Sequence, residues 1–430
     1  ETYAEHARTA VLNFDFPAAA EMWGKAYEQV ARWDDKLALT YKWREADALA
    51  DLGDYKGDND ALQQAIDTYG DALTLATERS DDWANIRNAT GNAWSTLGQR
   101  QSEAASLEQA VAAYEDALTV KTREHDAHDW AGTTSNLAVA LMYLGQREQS
   151  TDKLEAAQQS FTDALDAMDK EAQPLDWGHL QGNLGSVLLM LGDRTGNPDL
   201  LRQAADANKA ALEVLTRDKA PLDWALAETD YAQALADLAQ SAQDRSSGKI
   251  LDEAIDAFNA ALEERTQQKV PLDWAMTEDS LGSALATRAQ MTGSGDDFDA
   301  AIAAFEAALT ERTRERTPLD WANTKRNLAL AQKKRGEGLD GPEAFDDAIA
   351  NYQDALTVYS RDNSPIDWAQ TEAILGIAAL ARADRSHSKA DLKLAREAYA
   401  AAYEVFSQVD ADYASYIKGK LKDIDKRLKR

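Results

Sequence analysis

The sequence predicts an all-α protein, an α–α superhelix of stacked helical hairpins, and three observations predict it. The dipeptide Asp-Trp recurs seven times, ending at Trp83, Trp130, Trp177, Trp224, Trp274, Trp321 and Trp368, with a step of 47 residues in every interval but one, which is 50. Between these marks the apolar residues keep helical spacing, and no alternating strand pattern appears. A triplet of small, aromatic and small residues is written eight times with one departure, first as Ala65, Tyr69 and Ala72. A period of about 20–50 residues marks a unit that cannot bury its own apolar face, so stacked neighbours must complete one core. Function is therefore expected on a long repeated surface rather than in one pocket.

The elements follow in order. Residues 1–33 carry a shorter hairpin, with Ala19, Trp23 and Ala26 after Pro17. Residues 34–408 hold about eight further units, making about nine hairpins in all. In the unit from Asp176 to Asp223, the residues Trp177, Gln181, Leu184 and Leu188 form one helical stripe. Asp176 suits an N-cap there, with Pro174 stopping the previous helix from running on. The first helix should end near Gly192, within a run of turn formers, and a second should run from about Asp199 to Arg217.

That second helix carries the small–aromatic–small triplet, which lets two backbones approach closely. It recurs around Tyr114, Phe161, Phe258, Phe305, Tyr352 and Tyr399, and Asn208 is the one departure from the aromatic. The three extra residues of the longer interval fall within 241–248, as an insertion expected on one rim. Residues 409–430 form a basic terminal helix, whose stripe Tyr413, Ile417, Leu421, Ile424 and Leu428 suits it to cover the last hairpin.

Composition bounds the function. The 430 residues are 44% hydrophobic and 28% charged, which fits a folded helical chain. The net charge is −29, although residues 418–430 alone hold seven Lys or Arg. A surface so negative repels phosphate backbones, so no nucleic-acid partner is expected. With no cysteine, thiol catalysis and thiolate zinc sites are excluded. No apolar run is long enough to insert in a membrane. The chain starts at Glu1 rather than Met, so an upstream segment with an export signal is conceivable, which leaves bacterial cytoplasm and periplasm both open.

The spacing of Leu184, Gly185, Leu188 and Gly192, followed by Ala204, Asn208 and Ala211, resembles the tetratricopeptide repeat signature. The resemblance covers residues 1 to about 408. It departs from the usual unit of about 34 residues in its longer links, and at Thr90, Tyr231, Ala232 and Ala329, which replace Leu or Gly. The chain also resembles bacterial arrays with Pro-Leu-Asp-Trp-Ala spacing. In that family the first helix of each hairpin lines the concave face of a right-handed superhelix. Asn136, Asn183 and Asn327 share one position on that face, each in an Asn-Leu-Ala or Asn-Leu-Gly motif similar to those of kinesin light chain repeats, whose groove binds peptides.

Asn88 and Asn92 lie close by in the second unit. An amide both donates and accepts, so a ladder of Asn can hold the backbone of an extended peptide without reading its side chains. Met142, Tyr143, Leu189 and Met190 are the candidate apolar anchors. Lys325, Arg326, Lys333 and Lys334 cluster in one unit, a possible hold for a peptide carboxylate of the kind that carboxylate-clamp members of the family provide. The seven Trp residues are assigned to packing between repeats, at a cost of about 3–5 kcal/mol for truncating a fully buried one.

Enzymatic signals are poor: His125 and His128 are the only close histidines among five, and no phosphate loop or nucleophile set has its motif context. The expectation is a non-enzymatic scaffold without cofactor or metal that binds a protein or peptide. The alternatives are a self-associating structural module, a possible homo-oligomer, or a sensor arm of a larger protein.

Overall fold

Proline opens the first helix of five consecutive hairpins, at Pro174, Pro221, Pro271, Pro318 and Pro365. At the first helical position the missing N–H is no loss, because that group has no intrahelical acceptor, and the fixed φ already suits the helix. The computed structural model describes residues 2–101, 104–242, 247–339, 341–362 and 364–429. Among these the chain forms nineteen α-helices, one short 3-10 turn (Pro342–Phe345) and no strand. The fold is a TPR-like helical repeat, nine hairpins followed by one terminal helix, and the chain divides into two compact units, Glu1–Leu215 and Thr216–Arg430.

The first unit holds five hairpins: α1 (Thr2–Leu12) with α2 (Phe16–Val30), α3 (Asp35–Lys56) with α4 (Asn59–Leu75), α5 (Asp81–Arg100) with α6 (Ala105–Leu118), α7 (Ala127–Arg147) with α8 (Thr151–Ala167), and α9 (Pro174–Thr195) with α10 (Pro198–Leu212). Asp176, expected as an N-cap, sits in the first turn of α9, because the proline starts the helix two residues earlier behind Gln173. There its carboxylate still faces the positive end of the helix dipole. Helix α9 also runs past Gly192 to Thr195 and stops on Gly196, whose φ of 66° is the left-handed cap that glycine adopts at no steric cost. Helix α10 ends at Leu212, short of Arg217, and the chain turns there.

The triplets make the core. Tyr69, Tyr114 and Phe161 are each at most 2% exposed, and the Ala residues flanking them are sealed. Opposite Tyr114 stands Gly91 of the first helix, and Ala46 and Ala138 are buried in the same clusters as Tyr69 and Phe161. Asn208 fills the same slot against Gly185, donating to the Ala204 carbonyl at 3.1 Å. Successive hairpins of this unit are also tied by arginines at the ends of the first helices. Arg100 donates to the Gly53 carbonyl at 3.0 Å, Arg147 to Gly98 at 2.9 Å and Arg194 to Gly145 at 3.1 Å. These bonds use acceptors in the last turns of first helices, where Gly53 and Gly145 also accept backbone N–H groups from Asp58 and Ser150.

The second unit holds α11 (Pro221–Ala242) with α12 (Ser247–Leu262), α13 (Pro271–Thr292) with α14 (Gly295–Ala308), α15 (Pro318–Glu337) with α16 (Asp346–Ala355), α17 (Pro365–Ser386) with α18 (Lys389–Val409), and α19 (Ala411–Leu428). Residues 243–246, half of the stretch 241–248 where the insertion is expected, lie outside the described residues. Phe258, Phe305, Tyr352 and Tyr399 repeat the sealed aromatic. Arg385 repeats the first kind of tie by donating to the Gly336 carbonyl at 2.9 Å, and a second kind is added here. Arg288 pairs with Asp252 at 2.9 Å, Arg335 with Asp299 at 2.8 Å and Arg382 with Asp346 at 2.7 Å, each reaching back 36 residues to the second helix of the preceding hairpin. Helix α19 closes the unit by burying Ile417 and Ile424 and by setting Tyr413 edge-on to Phe406 at 4.7 Å.

Candidate interaction face on the first helices

Within each unit the first helices touch one another in sequence, α3 to α5 to α7 to α9 and α11 to α13 to α15 to α17. Each second helix packs against its own hairpin partner and, inside the same unit, against the next first helix. The first helices of each unit therefore form a row whose outer stripe of side chains has, among the described residues, no helix packed over it.

Three of the Asn residues meet on that row. Asn136 Nδ2 on α7 donates to Asn88 Oδ1 at 3.3 Å and to Asn92 Oδ1 at 3.2 Å, both on α5. Asn92 Oδ1 also accepts from the Tyr114 hydroxyl at 2.8 Å. Asn92 is exposed and the other two are half-buried, so the cluster is joined within itself while one edge faces solvent. Asn183 on α9 and Asn327 on α15 are half-buried too, and among the described residues neither makes a side-chain hydrogen bond. Of the apolar anchors, Tyr143, Leu189 and Met190 are half-buried. Met142 is a correction: it is 6% exposed and belongs to the core around Leu154 and Phe161, against which Tyr143 and Met190 also pack with part of their surface open.

The basic cluster on α15 is matched from within the chain. Lys325 Nζ lies 2.7 Å from Asn351 Oδ1 and 3.0 Å from Asp354, and Arg326 lies 2.9 Å from Asp367. Lys333 is buried with Nζ 2.5 Å from Glu337, which Lys334 approaches at 3.5 Å. Charges so engaged offer little attraction to a further carboxylate.

All seven Trp rings are half-buried. Trp130 packs at the core of α7 to α9, and Trp321 and Trp368 pack around Tyr359. Cations of the chain itself take up many of the ring faces: Lys170 stands 4.3 Å from the Trp177 centroid, Arg87 5.3 Å from Trp83 and Arg217 5.5 Å from Trp224. His125 and His128 do not converge. His125 lies 3.8 Å from Asp81, whereas His128 Nδ1 lies 2.7 Å from Gln173 Nε2.

Two features of this face are not evident from periodicity. The residue after each opening proline is exposed, at Leu175 in the first unit and at Leu222, Leu272, Leu319 and Ile366 in the second. One turn further on, Leu226 and Met276 are 43% and 36% exposed. The second unit thus carries an apolar row across four neighbouring helices. A turn after the Trp residues, Glu228, Glu278 and Glu372 recur at one position, and burial raises all three carboxyls, that of Glu372 to about 7.

Among the described residues no three His, Asp or Glu side chains are grouped to hold a metal ion, and no helix is long and apolar enough to cross a membrane. No model of a known protein family matches the sequence, and no curated protein matches it either. Solved structures share the fold. The apo quorum sensor NprR from B. thuringiensis aligns at TM-score 0.53 and 12% identity, over 92% of this chain and 97% of that one. Apo RapI aligns at TM-score 0.51 and 13% identity, over 95% of this chain and 98% of that one. A Rap protein complexed with Competence and Sporulation Factor aligns at TM-score 0.50 and 14% identity, over 91% and 98%.

Proposed function

We propose that this chain is a non-enzymatic scaffold that binds an extended segment of another protein along the open face of its first helices. The observation that carries the reading is the apolar row of the second unit. Leu222, Leu226, Leu272, Met276, Leu319 and Ile366 leave aliphatic surface in water at equivalent places on consecutive helices. Single exposed apolar residues are ordinary, whereas a set at a repeated position on touching helices fits alternate side chains of a guest. The Asn cluster of the first unit supplies amide groups suited to a guest backbone. Two proteins of similar fold, a quorum sensor and a Rap protein in complex with a factor, are compatible with a fold that receives a partner, although the likeness is one of fold alone.

The test is selection of binding peptides from a displayed random library against the folded chain, followed by affinity measurement. Replacing Leu272 and Leu319 together by Ser should weaken a peptide held on the second unit by at least about tenfold, and Asn136→Ala with Asn183→Ala should weaken one held on the first unit, with circular dichroism unchanged. Affinity indifferent to both pairs would remove this face from the mechanism.

A second reading, self-association, is favoured by α19. Lys418, Lys422, Lys426 and Lys429 line one hollow on it, and none of them forms an ion pair among the described residues. In a chain of net charge −29 these lysines complement the acidic surface of another copy. Light scattering should then show an oligomer that dissociates with salt and with Glu at the four positions; a monomer at low salt defeats the idea.

A further inference from the structure

A cavity of about 510 Å³ opens in the first unit where α1 and α2 meet α3. Its size lies in the range of small-molecule sites. One wall is aromatic: Trp23 and Tyr41 are both buried, with ring centroids 5.6 Å apart at 31°. Val11 and Leu12 of α1 extend the apolar surface to the mouth, and Leu12 is 80% exposed there.

Four charged residues line the same cavity, and they divide into two sorts. Arg44 and Asp47 satisfy each other at 3.0 Å, and Asp47 also accepts from the Tyr69 hydroxyl at 2.8 Å. Arg8 and Asp51 are left over. Arg8 touches only the Trp23 ring, at 6.0 Å, and among the described residues it has no carboxylate partner. Asp51 is half-buried with no hydrogen bond or ion pair among the described residues, and its charged neighbours are the like-signed Asp47 and Asp54. Burial and those neighbours raise its carboxyl, so a cation brought beside it gains more than at an open surface.

The leftover pair has opposite signs, and an aromatic wall stands in the same cavity. A simple amine answers Asp51 but leaves Arg8 unmatched, and a simple acid does the reverse. We propose that this cavity binds a small zwitterion with a hydrophobic body, an apolar amino acid or a short apolar peptide with free ends, its ammonium at Asp51, its carboxylate at Arg8 and its body against Trp23 and Tyr41. The site lies between the first helices α1 and α3, and none of the residues assigned to the open face lines it.

The experiment is titration calorimetry of the full chain with L-phenylalanine and with the dipeptide Leu-Phe, which separate the two sources by length. The controls 2-phenylethylamine and 3-phenylpropionate each lack one charge. At least one zwitterion should bind at millimolar concentration or below, and both controls should bind about tenfold more weakly or not at all. Asp51→Asn and Arg8→Gln, both at partly open positions that preserve the fold, should each lower the affinity of the zwitterion by a similar factor. No heat from either zwitterion, controls that bind equally well, or variants that bind like the parent would each overturn the proposal.

Discussion

Gly91 and Gly132 invite the same substitution with opposite outcomes. Both lie inside first helices of the first unit, where alanine in place of glycine ordinarily adds roughly 0.5–1 kcal/mol by reducing the freedom of the unfolded chain. A Cβ on Gly132 meets nothing within 4 Å, so Gly132→Ala should show that gain unopposed. A Cβ on Gly91 would lie 2.6, 2.7 and 2.9 Å from three ring carbons of Tyr114. That ring cannot easily give way, because it is 2% exposed and its hydroxyl is bonded to Asn92 at 2.8 Å. Overpacking of this kind costs about 1–3 kcal/mol, so after the helix gain Gly91→Ala should lose about 1–2 kcal/mol net. Native-state hydrogen exchange on the amides of α5 to α8 reads both effects locally, which matters in an array whose stability is spread over neighbouring units. Adding Tyr114→Leu should cost less in the Gly91→Ala background than in the parent, since the clash has gone. If Gly91→Ala stabilises the chain as Gly132→Ala does, the close contact of first and second helices is not what the small residue provides.

Three further outcomes are expected. Phe305→Ala, at a position 1% exposed, should lower stability by about 3–5 kcal/mol in denaturant unfolding, and a loss below about 1 kcal/mol would mean that the aromatic slot can collapse. Arg194→Met removes the bond to the Gly145 carbonyl and should cost about 1–2 kcal/mol, seen as faster exchange where α7 meets α8; unchanged protection there would discount the arginine ties. Glu372, raised by burial from 4.5 to about 7, binds its proton more tightly folded than unfolded, so its contribution to stability is fully present below about pH 4.5 and is lost as the pH rises toward 7. Glu372→Gln should therefore raise the melting temperature at pH 8 more than at pH 5, and an equal shift at both would dismiss the assignment.

The fold could be read from the chain because its rule is local and repeated: Ala, aromatic, Ala on one helix and Gly or Ala on the other recur at fixed spacing, and even Ala232 and Ala329, departures from the signature, stay small. Helix starts were harder to place. In Pro-Leu-Asp-Trp both the proline and the aspartate are credible openers, and the proline at the first position takes precedence. The candidate face was legible only in part, because what a side chain does there depends on distant neighbours. Arg326 meets Asp367 and Asn136 meets Asn88, partners 41 and 48 residues away that no periodicity identifies. The leucine after each proline belongs to the first turn of a helix, where an apolar residue in sequence looks the same whether it points into a core or into water.

The division of labour between the two helices of a hairpin has an evolutionary corollary. The second helix holds the slot that fixes the spacing of the array, whereas the outer stripe of the first, with Leu222, Leu272 and Leu319, stands partly in water. Residues on that stripe can drift one at a time, so descendants of this chain could acquire new binding preferences while their architecture stays constant.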